Sequence, residues 1–155
     1  MKDNIVLKAR NLFLKYGIKS VAMDDIAREL GISKKTLYQH FETKNDLIKS
    51  VAEQNLATDI RMIDHIQTAA KDAIDEMFMI AKYVLEEISS IQSPTLMFDL
   101  QKYYPEMWQL FEQFQYQQVA NHIKHNIERG ITEGLYRTEI NGDIIAKIYS
   151  ATVYA

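Results

Sequence analysis

The residues with the clearest chemical potential lie together in a short polar segment. Lys34, Lys35 and Thr36 follow Ser33, a residue type that caps helix N-termini, and so they begin a predicted short helix. Two lysines at a helix N-terminus oppose the helix dipole, at about 0.3–1 kcal/mol each. Phosphate groups would supply the missing negative charge, although long, solvated lysines also tolerate such a position. The segment therefore indicates a phosphate-binding helix end.

Four further side chains extend this candidate site. Tyr38 can stack or hydrogen-bond to a nucleic-acid backbone, and the Gln39 amide can recognise adenine in the major groove. His40 either joins them or caps carbonyl groups at the helix end, and the sequence leaves both interpretations open. Lys44, beside the free amides that begin the next helix, is a candidate phosphate clamp.

The elements around these residues predict a helix-turn-helix. A helix from Met23 to Leu30 ends at Gly31, a residue that adopts positive φ without strain, and the next helix runs from Lys34 to about His40. The second helix of such a pair lies in the DNA major groove. A small core with the preceding helix would come from Ile26, Leu30, Ile32, Leu37 and Phe41.

The run DDIARELGISKKTLYQHFETKNDLI resembles the DNA-binding segment of the TetR family of transcriptional regulators, and the resemblance covers about residues 4–50. One position departs from the pattern: Ala22 stands where the family often has a Ser or Thr that caps the helix and touches a phosphate. That substitution removes one contact and about 0.5–2 kcal/mol of capping, which Ser20 or Asp24 would partly replace. The resemblance is carried by Ile26-Ala27, Gly31-Ile32-Ser33, Leu37-Tyr38, His40-Phe41, Lys44 and Leu47.

The resemblance implies an all-α protein with two domains. An N-terminal three-helix helix-turn-helix DNA-binding domain, residues 1–48, is joined by a long helix to a helical ligand-binding and dimerisation domain, residues 49–155, which we expect to lack its last helix. The implied function is a homodimeric, sequence-specific regulator of transcription on double-stranded operator DNA. We expect a repressor that a small-molecule ligand releases from its operator, without catalytic residues, cofactor or metal.

Outside this segment the sequence predicts more helices. The first has its apolar face from Ile5 to Tyr16 and ends at Gly17, at a left-handed C′ position. A long helix begins at Lys44 after a Thr43 cap and reaches about Ile66. Others are predicted at 69–89, after Ser93-Pro94, after Pro105, and at 144–155 behind Asn141-Gly142-Asp143. The apolar residues of the last helix need a partner surface, either a following helix or another chain: Ile144, Ile145, Ile148, Val153 and Tyr154.

Composition narrows the function classes. The 155 residues contain no cysteine, which excludes disulfides, zinc-thiolate sites and cysteine nucleophiles. Residues 1–50 carry ten basic and six acidic side chains while the remainder carries eight and fifteen, so only the N-terminal segment suits an anionic partner. The sequence has no signal-peptide pattern and no long uncharged apolar run, so we expect a cytoplasmic protein without membrane contact. It contains no phosphate loop, nucleophile elbow or HExxH motif, so an enzyme is not expected.

Two further groups of residues could form a ligand site, but each also has an ordinary structural explanation. His122, His125 and Glu128 have a spacing seen in metal sites, but a solvated polar face explains them better. Apolar and aromatic residues of the second region either form core or line a pocket for an apolar or aromatic ligand. The pocket candidates are Met62, His65, Met77, Tyr83, Phe98, Tyr103, Trp108 and Phe111. The alternative function is a helical protein-interaction module that does not bind DNA.

Overall fold

A computed structural model describes residues 1–91 and 94–153, and all regular structure in these residues is α-helical. The predicted all-α class is therefore confirmed, and the two helices of the helix-turn-helix have the predicted bounds. Ser93 and Tyr154 lie outside the described residues. The helices are α1 Lys2–Tyr16, α2 Met23–Leu30, α3 Lys34–His40, α4 Lys44–Ala69, α5 Ala73–Ile91, α6 Pro94–Tyr103, α7 Pro105–Thr132 and α8 Gly142–Val153.

The chain folds into two compact units, and each contains parts that are distant in sequence. Unit 1 comprises Met1–Thr58 and Ser89–Leu110, so it combines α1–α3 and the start of α4 with α6. Unit 2 comprises Asp59–Ile88 and Phe111–Ala155. These two units are defined by how the helices pack and not by function. The functional domain boundary expected at residue 48 stays a prediction.

The core of unit 1 joins one face of α1 to the helix-turn-helix. The predicted α1 face is buried at Ile5 and Phe13, but Tyr16 at the helix end is exposed, with the Lys15 ammonium over its ring. Burial of these apolar side chains is the main force that fixes α2 and α3 against α1. The core also includes Ile18, Val21, Met23, Ile26, Ala27, Leu37, Phe41, Leu47, Ile48 and Val51, with Leu96, Leu100, Tyr104 and Met107 packed against it.

Two glycines end helices in unit 1 with different backbone conformations. Gly31 has φ 66° and ψ 27°, the left-handed conformation expected at the end of α2. Gly17 also has a positive φ of 80°, but its ψ of 157° is extended, so the expected left-handed C′ position was wrong. The extended ψ directs the chain away from α1 and towards α6.

Unit 2 is built around α7. A smaller core contains Ile123, Ile127 and Ala146, with Tyr136 packed against it. Gly130 provides the space for that tyrosine, because a Cβ at position 130 would lie 2.2 Å from Tyr136 Cδ2. The Asn141 carboxamide accepts hydrogen bonds from the first amides of α8, at 3.0 and 3.2 Å, which confirms the predicted cap.

Candidate nucleic-acid interface

At the start of α2 a carboxylate supplies the second half of a capping box, the bond to the backbone N–H of the N-cap residue. Asp25 Oδ2 accepts a hydrogen bond from the Ala22 backbone N–H at 2.9 Å, and Arg28 donates to Asp25 Oδ1 at 2.6 Å. The Ala22 N–H, and then Arg28, hold the pKa of Asp25 below its usual value. The expectation that Ser20 or Asp24 would substitute was therefore wrong, because the side chain in range is three residues into the helix, at the usual position of a capping box.

The turn between α2 and α3 is closed by its own backbone and by one hydroxyl. The Ile32 N–H donates to the Ala27 carbonyl at 3.0 Å across the left-handed Gly31. Ser33 Oγ accepts from the Thr36 N–H at 3.0 Å, which confirms Ser33 as the predicted cap of α3. The Ser33 and Thr36 hydroxyls also bond to each other at 2.8 Å. Both residues therefore hold the beginning of α3 in place before any ligand arrives.

The seven residues of α3 divide into an anchor and an exposed face. Leu37 is 0% exposed and ties the helix into the unit 1 core, while Thr36 is half-buried. The predicted contact residues Lys34, Lys35, Tyr38, Gln39 and His40 are all exposed, and we call them the recognition face. The helix thus presents five polar or aromatic side chains on a rigid support.

The two leading lysines have different surroundings. Lys34 Nζ forms an ion pair with Asp24, in which both side chains remain largely exposed. Exposed pairs of this kind contribute little net free energy, so a phosphate can replace Asp24 at small cost. Lys35 has no ion-pair partner within the described part of the chain. Both ammonium groups are thus available to an incoming polyanion.

Lys44 lies at the first position of α4 and is half-buried. Its Nζ donates to the Ile18 carbonyl, and burial lowers its pKa, while the charges of Asp99 and Asp25 act in the opposite direction. The preceding cap is reciprocal, as predicted: Thr43 N–H donates to Asp46 Oδ2 at 2.9 Å, and Asp46 N–H donates to Thr43 Oγ1 at 3.1 Å. A phosphate clamp at Lys44 would share its ammonium with the chain's own backbone.

The predicted ligand-pocket residues are divided between the two units. In unit 1, the exposed rings of Phe98 and Tyr103 meet edge to face, and Trp108 is half-buried. In unit 2, Met62 and His65 are exposed. The other candidates in unit 2 are Met77, Tyr83 and Phe111. The Tyr83 hydroxyl donates a hydrogen bond to Asp59, and the side chain of Phe111 lies outside the described part of the structure.

Unit 2 contains an apolar groove of about 230 Å³, and Met77 is the predicted residue that lines it. The sequence interpretation missed the other lining residues because isoleucines on a helix face look like ordinary core. The available signal was the four-residue spacing of Ile123 with Ile127 on α7 and of Ile145 with Tyr149 on α8. These lining residues are Ile123, Ile127, Tyr136, Ile140, Ile145 and Tyr149.

A polar network lies on another face of α7. The Arg129 guanidinium donates to Glu76 at 2.8 Å and to Glu133 at 2.7 Å, and it also reaches the carbonyls of Gln67 and Ala70. Glu76 is 0% exposed, so Arg129 compensates a carboxylate that is removed from water. The network ties the end of α4 and the start of α5 to α7.

His122 belongs to this polar environment. Its Nδ1 lies 3.2 Å from Gln67 Nε2, and burial lowers its pKa, which favours a neutral ring. Across the described ranges, no three His, Asp or Glu side chains are arranged to hold a metal ion. In the same ranges, none of the helices has the length and hydropathy needed to span a bilayer.

Comparison with known proteins identifies the N-terminal segment. Residues 5–51 match the family model described as bacterial regulatory proteins, tetR family. An HTH-type transcriptional regulator of Staphylococcus aureus strain bovine RF122 is 35% identical over 78 residues, which is 50% of this chain. The match covers 42% of that relative, so the chain spans less than half the length of the curated relatives it matches.

Solved structures share the fold over nearly the whole chain. A transcriptional regulator from Cytophaga hutchinsonii aligns with a TM-score of 0.84 at 21% identity, covering 98% of this chain and 77% of that one. FadR from Bacillus subtilis, solved in complex with stearoyl-CoA, aligns with a TM-score of 0.78 at 15% identity, covering 99% and 83%. The segment that contains the helix-turn-helix, residues 5–51, is therefore of the type that defines the tetR family of bacterial regulatory proteins.

Proposed function

We propose that this protein is a sequence-specific DNA-binding regulator of transcription. The observation that carries the proposal is the recognition face of α3: five exposed polar or aromatic side chains on a short helix that Leu37 anchors in the core. A rigid helix with lysines at its N-terminus fits the major groove, where the cations approach phosphates and the following side chains approach base edges. The family match over residues 5–51 supports the same function.

The side chains divide into positioning and readout roles. Lys34 and Lys35 meet phosphates, which fix the register of α3 on the duplex without recognising sequence. Gln39 and Tyr38 lie further along the exposed side, where a glutamine amide can bond bidentately to adenine. Ser33 and Thr36 support the helix end, and His40 is exposed at its other end.

Capture of genomic fragments tests this function. The protein should retain a small set of upstream sequences from a fragmented bacterial genome, and the retained DNA should share a short palindromic motif. Random retention, or none, would contradict sequence-specific binding and would favour the protein-interaction alternative.

Two single substitutions should separate positioning from readout. Gln39→Ala should reduce preference at one base position of the captured motif by about 1–3 kcal/mol and leave binding to random DNA unchanged. Lys35→Ala should weaken all sequences alike, because this exposed side chain would contact only a phosphate, which carries no base information. Competition binding with single-base motif variants measures both effects. Equal losses on motif and random DNA for Gln39→Ala would remove Gln39 from the readout set.

A small molecule with an apolar part that enters the unit 2 groove is the proposed effector, and repression is the proposed direction of control. The groove beside Met77 and Tyr136 offers an apolar lining of the kind that ligand sites use, and stearoyl-CoA is bound by the B. subtilis neighbour. A ligand that prefers the DNA-free conformation would lower operator affinity by a shift in population. Titration of the DNA complex with long-chain acyl-CoA tests this proposal. The proposal would be contradicted if acyl-CoA leaves the DNA affinity of the wild-type protein unchanged and if Ile127→Trp, which fills the groove, leaves acyl-CoA binding unchanged.

We also propose that the functional species is a homodimer. The exposed Ile144 and Ile148, four residues apart on α8, supply apolar surface for an isologous contact. Two recognition helices about 34–36 Å apart would then meet successive major grooves of a palindrome. Sedimentation velocity should show a dimer when the protein is bound to DNA. A single protomer per palindrome would contradict this arrangement.

A further inference from the structure

The turn between α1 and α2 is held from outside the helix-turn-helix. Asp99 lies on α6, 80 positions later in the chain, and its Oδ2 accepts a hydrogen bond from the Lys19 backbone N–H at 2.8 Å. Asp99 is 5% exposed, so its carboxylate has little access to water. A charge-assisted bond in such surroundings is strong and fixes the distance between its two partners.

Gly17 permits this close approach of α6. A Cβ at position 17 would lie 2.8 Å from Asp99 Oδ2 and 2.9 Å from Thr95 Cγ2. Both distances are too short for non-bonded atoms, so the backbone of the turn and the side chains of α6 are in direct contact. With the extended ψ of Gly17, the chain continues so that the Lys19 N–H lies within hydrogen-bond distance of Asp99.

Tyr103, one helical turn after Asp99, provides a second attachment. Lys19 Nζ donates a hydrogen bond to the Tyr103 hydroxyl at 2.9 Å. The same ammonium group lies 4.3 Å from the centroid of the Tyr103 ring. Backbone and side chain of Lys19 are thus both bound to α6. These contacts leave the turn little freedom to move relative to α6.

The turn determines the position of two elements that flank α3. It ends at Ala22, the N-cap of α2, and α2 leads through Gly31 directly into α3. It also contains the Ile18 carbonyl, which accepts from Lys44 at the start of α4. A displaced turn would therefore shift both the helix before the recognition helix and the helix after it.

We propose that Asp99 is a positioning residue for DNA binding: through the Lys19 N–H it fixes the α1–α2 turn, and with it the angle at which α3 meets the duplex. The inference rests on the proposed DNA-binding function. It extends the DNA-binding apparatus to a helix that the sequence places some sixty residues after α3. Base readout requires exact helix orientation, whereas general attraction to phosphates does not.

The test uses the full chain and a DNA fragment that the wild-type protein captures. Asp99→Leu removes the acceptor and keeps the branched shape, Asp99→Asn keeps an oxygen in place, and Gln101→Ala is a control at an exposed position on the same helix. At a temperature where circular dichroism shows each variant fully folded, Asp99→Leu should bind the captured fragment about tenfold more weakly than wild type. Random-sequence DNA should bind within about threefold of wild type for this variant. Asp99→Asn should recover most of the affinity, and Gln101→Ala should match wild type.

Amide hydrogen exchange at Lys19 supplies the readout specific to positioning. Exchange should accelerate in Asp99→Leu and less in Asp99→Asn, in the same order as the loss of fragment affinity. If Asp99→Leu folds and binds the captured fragment with wild-type affinity, the proposal is overturned, because Asp99 would then contribute to stability alone. If Asp99→Leu does not fold, Asp99→Ala replaces it, and a folded Asp99→Ala with faster Lys19 exchange and wild-type affinity would overturn the proposal. Failure of the wild-type protein to bind any fragment would instead refute the proposed function itself.

Discussion

Replacing Lys34 and Lys35 together with alanine should weaken binding to a captured DNA fragment about 10- to 100-fold near 0.1 M salt. Each lysine that neutralises a phosphate releases condensed counterions, so losing two contacts removes two such contributions to affinity. Because both side chains are exposed and make no core contact, the folded structure should be unaffected. Fluorescence anisotropy at several salt concentrations measures the loss, with circular dichroism to confirm folding.

Asp24→Asn is the matched control, and it should act in the opposite direction. Asp24 pairs with Lys34 in the DNA-free protein, so it competes with phosphate for the same ammonium group. Removing its charge should strengthen DNA binding by a few-fold at low salt and by less at high salt. If the double lysine variant binds as tightly as wild type, or if Asp24→Asn weakens binding, the assignment of α3 as the DNA-facing element is wrong.

Replacing Arg129 with methionine should lower the melting temperature by roughly 6–20 °C. Glu76 would then be an uncompensated carboxylate in the interior of unit 2, and the carbonyls of Gln67 and Ala70 would lose their donor. Removing one partner of a buried pair is far more costly than never having had the pair. Thermal unfolding followed by circular dichroism measures the effect.

The double variant Arg129→Met with Glu76→Leu distinguishes this cause from lost packing. With both charges gone, no buried ion remains unpaired, so the melting temperature should recover by more than half. A double variant as unstable as Arg129→Met alone would show that the arginine acts through its contacts with Gln67, Ala70 and Glu133 rather than through Glu76.

The helix-turn-helix was predictable because its determinants are local. The left-handed backbone at position 31 favours glycine, the Ser33 hydroxyl caps the Thr36 amide, and Leu37 is buried one turn later. A few adjacent residues therefore fix the bounds of α2 and α3. The same reasoning predicted the Thr43 cap and the Asn141 cap. It failed at Gly17, because the ψ of that residue depends on α6, which is more than 70 residues away in the chain.

The residues that line the unit 2 groove could not be predicted for the same reason. Membership of a groove depends on which helices meet, and spacing along one helix does not contain that information. Phe98 and Tyr103 lie in unit 1 because α6 packs there, while the groove in unit 2 is lined mostly by isoleucines and tyrosines of α7, α8 and the segment between them. The contact between Asp99 and Lys19 could not be predicted from the sequence either, since an aspartate in a predicted helix is usually solvated.

The most direct test of the DNA-binding account is the slope of log affinity against log salt for the wild-type protein on a captured fragment. We predict a straight line of negative slope, about 0.9 for each phosphate contacted, that becomes shallower by close to two contacts per recognition helix in the variant lacking Lys34 and Lys35. Binding that is indifferent to salt, with the same slope in protein and variant, would mean that α3 does not meet the duplex.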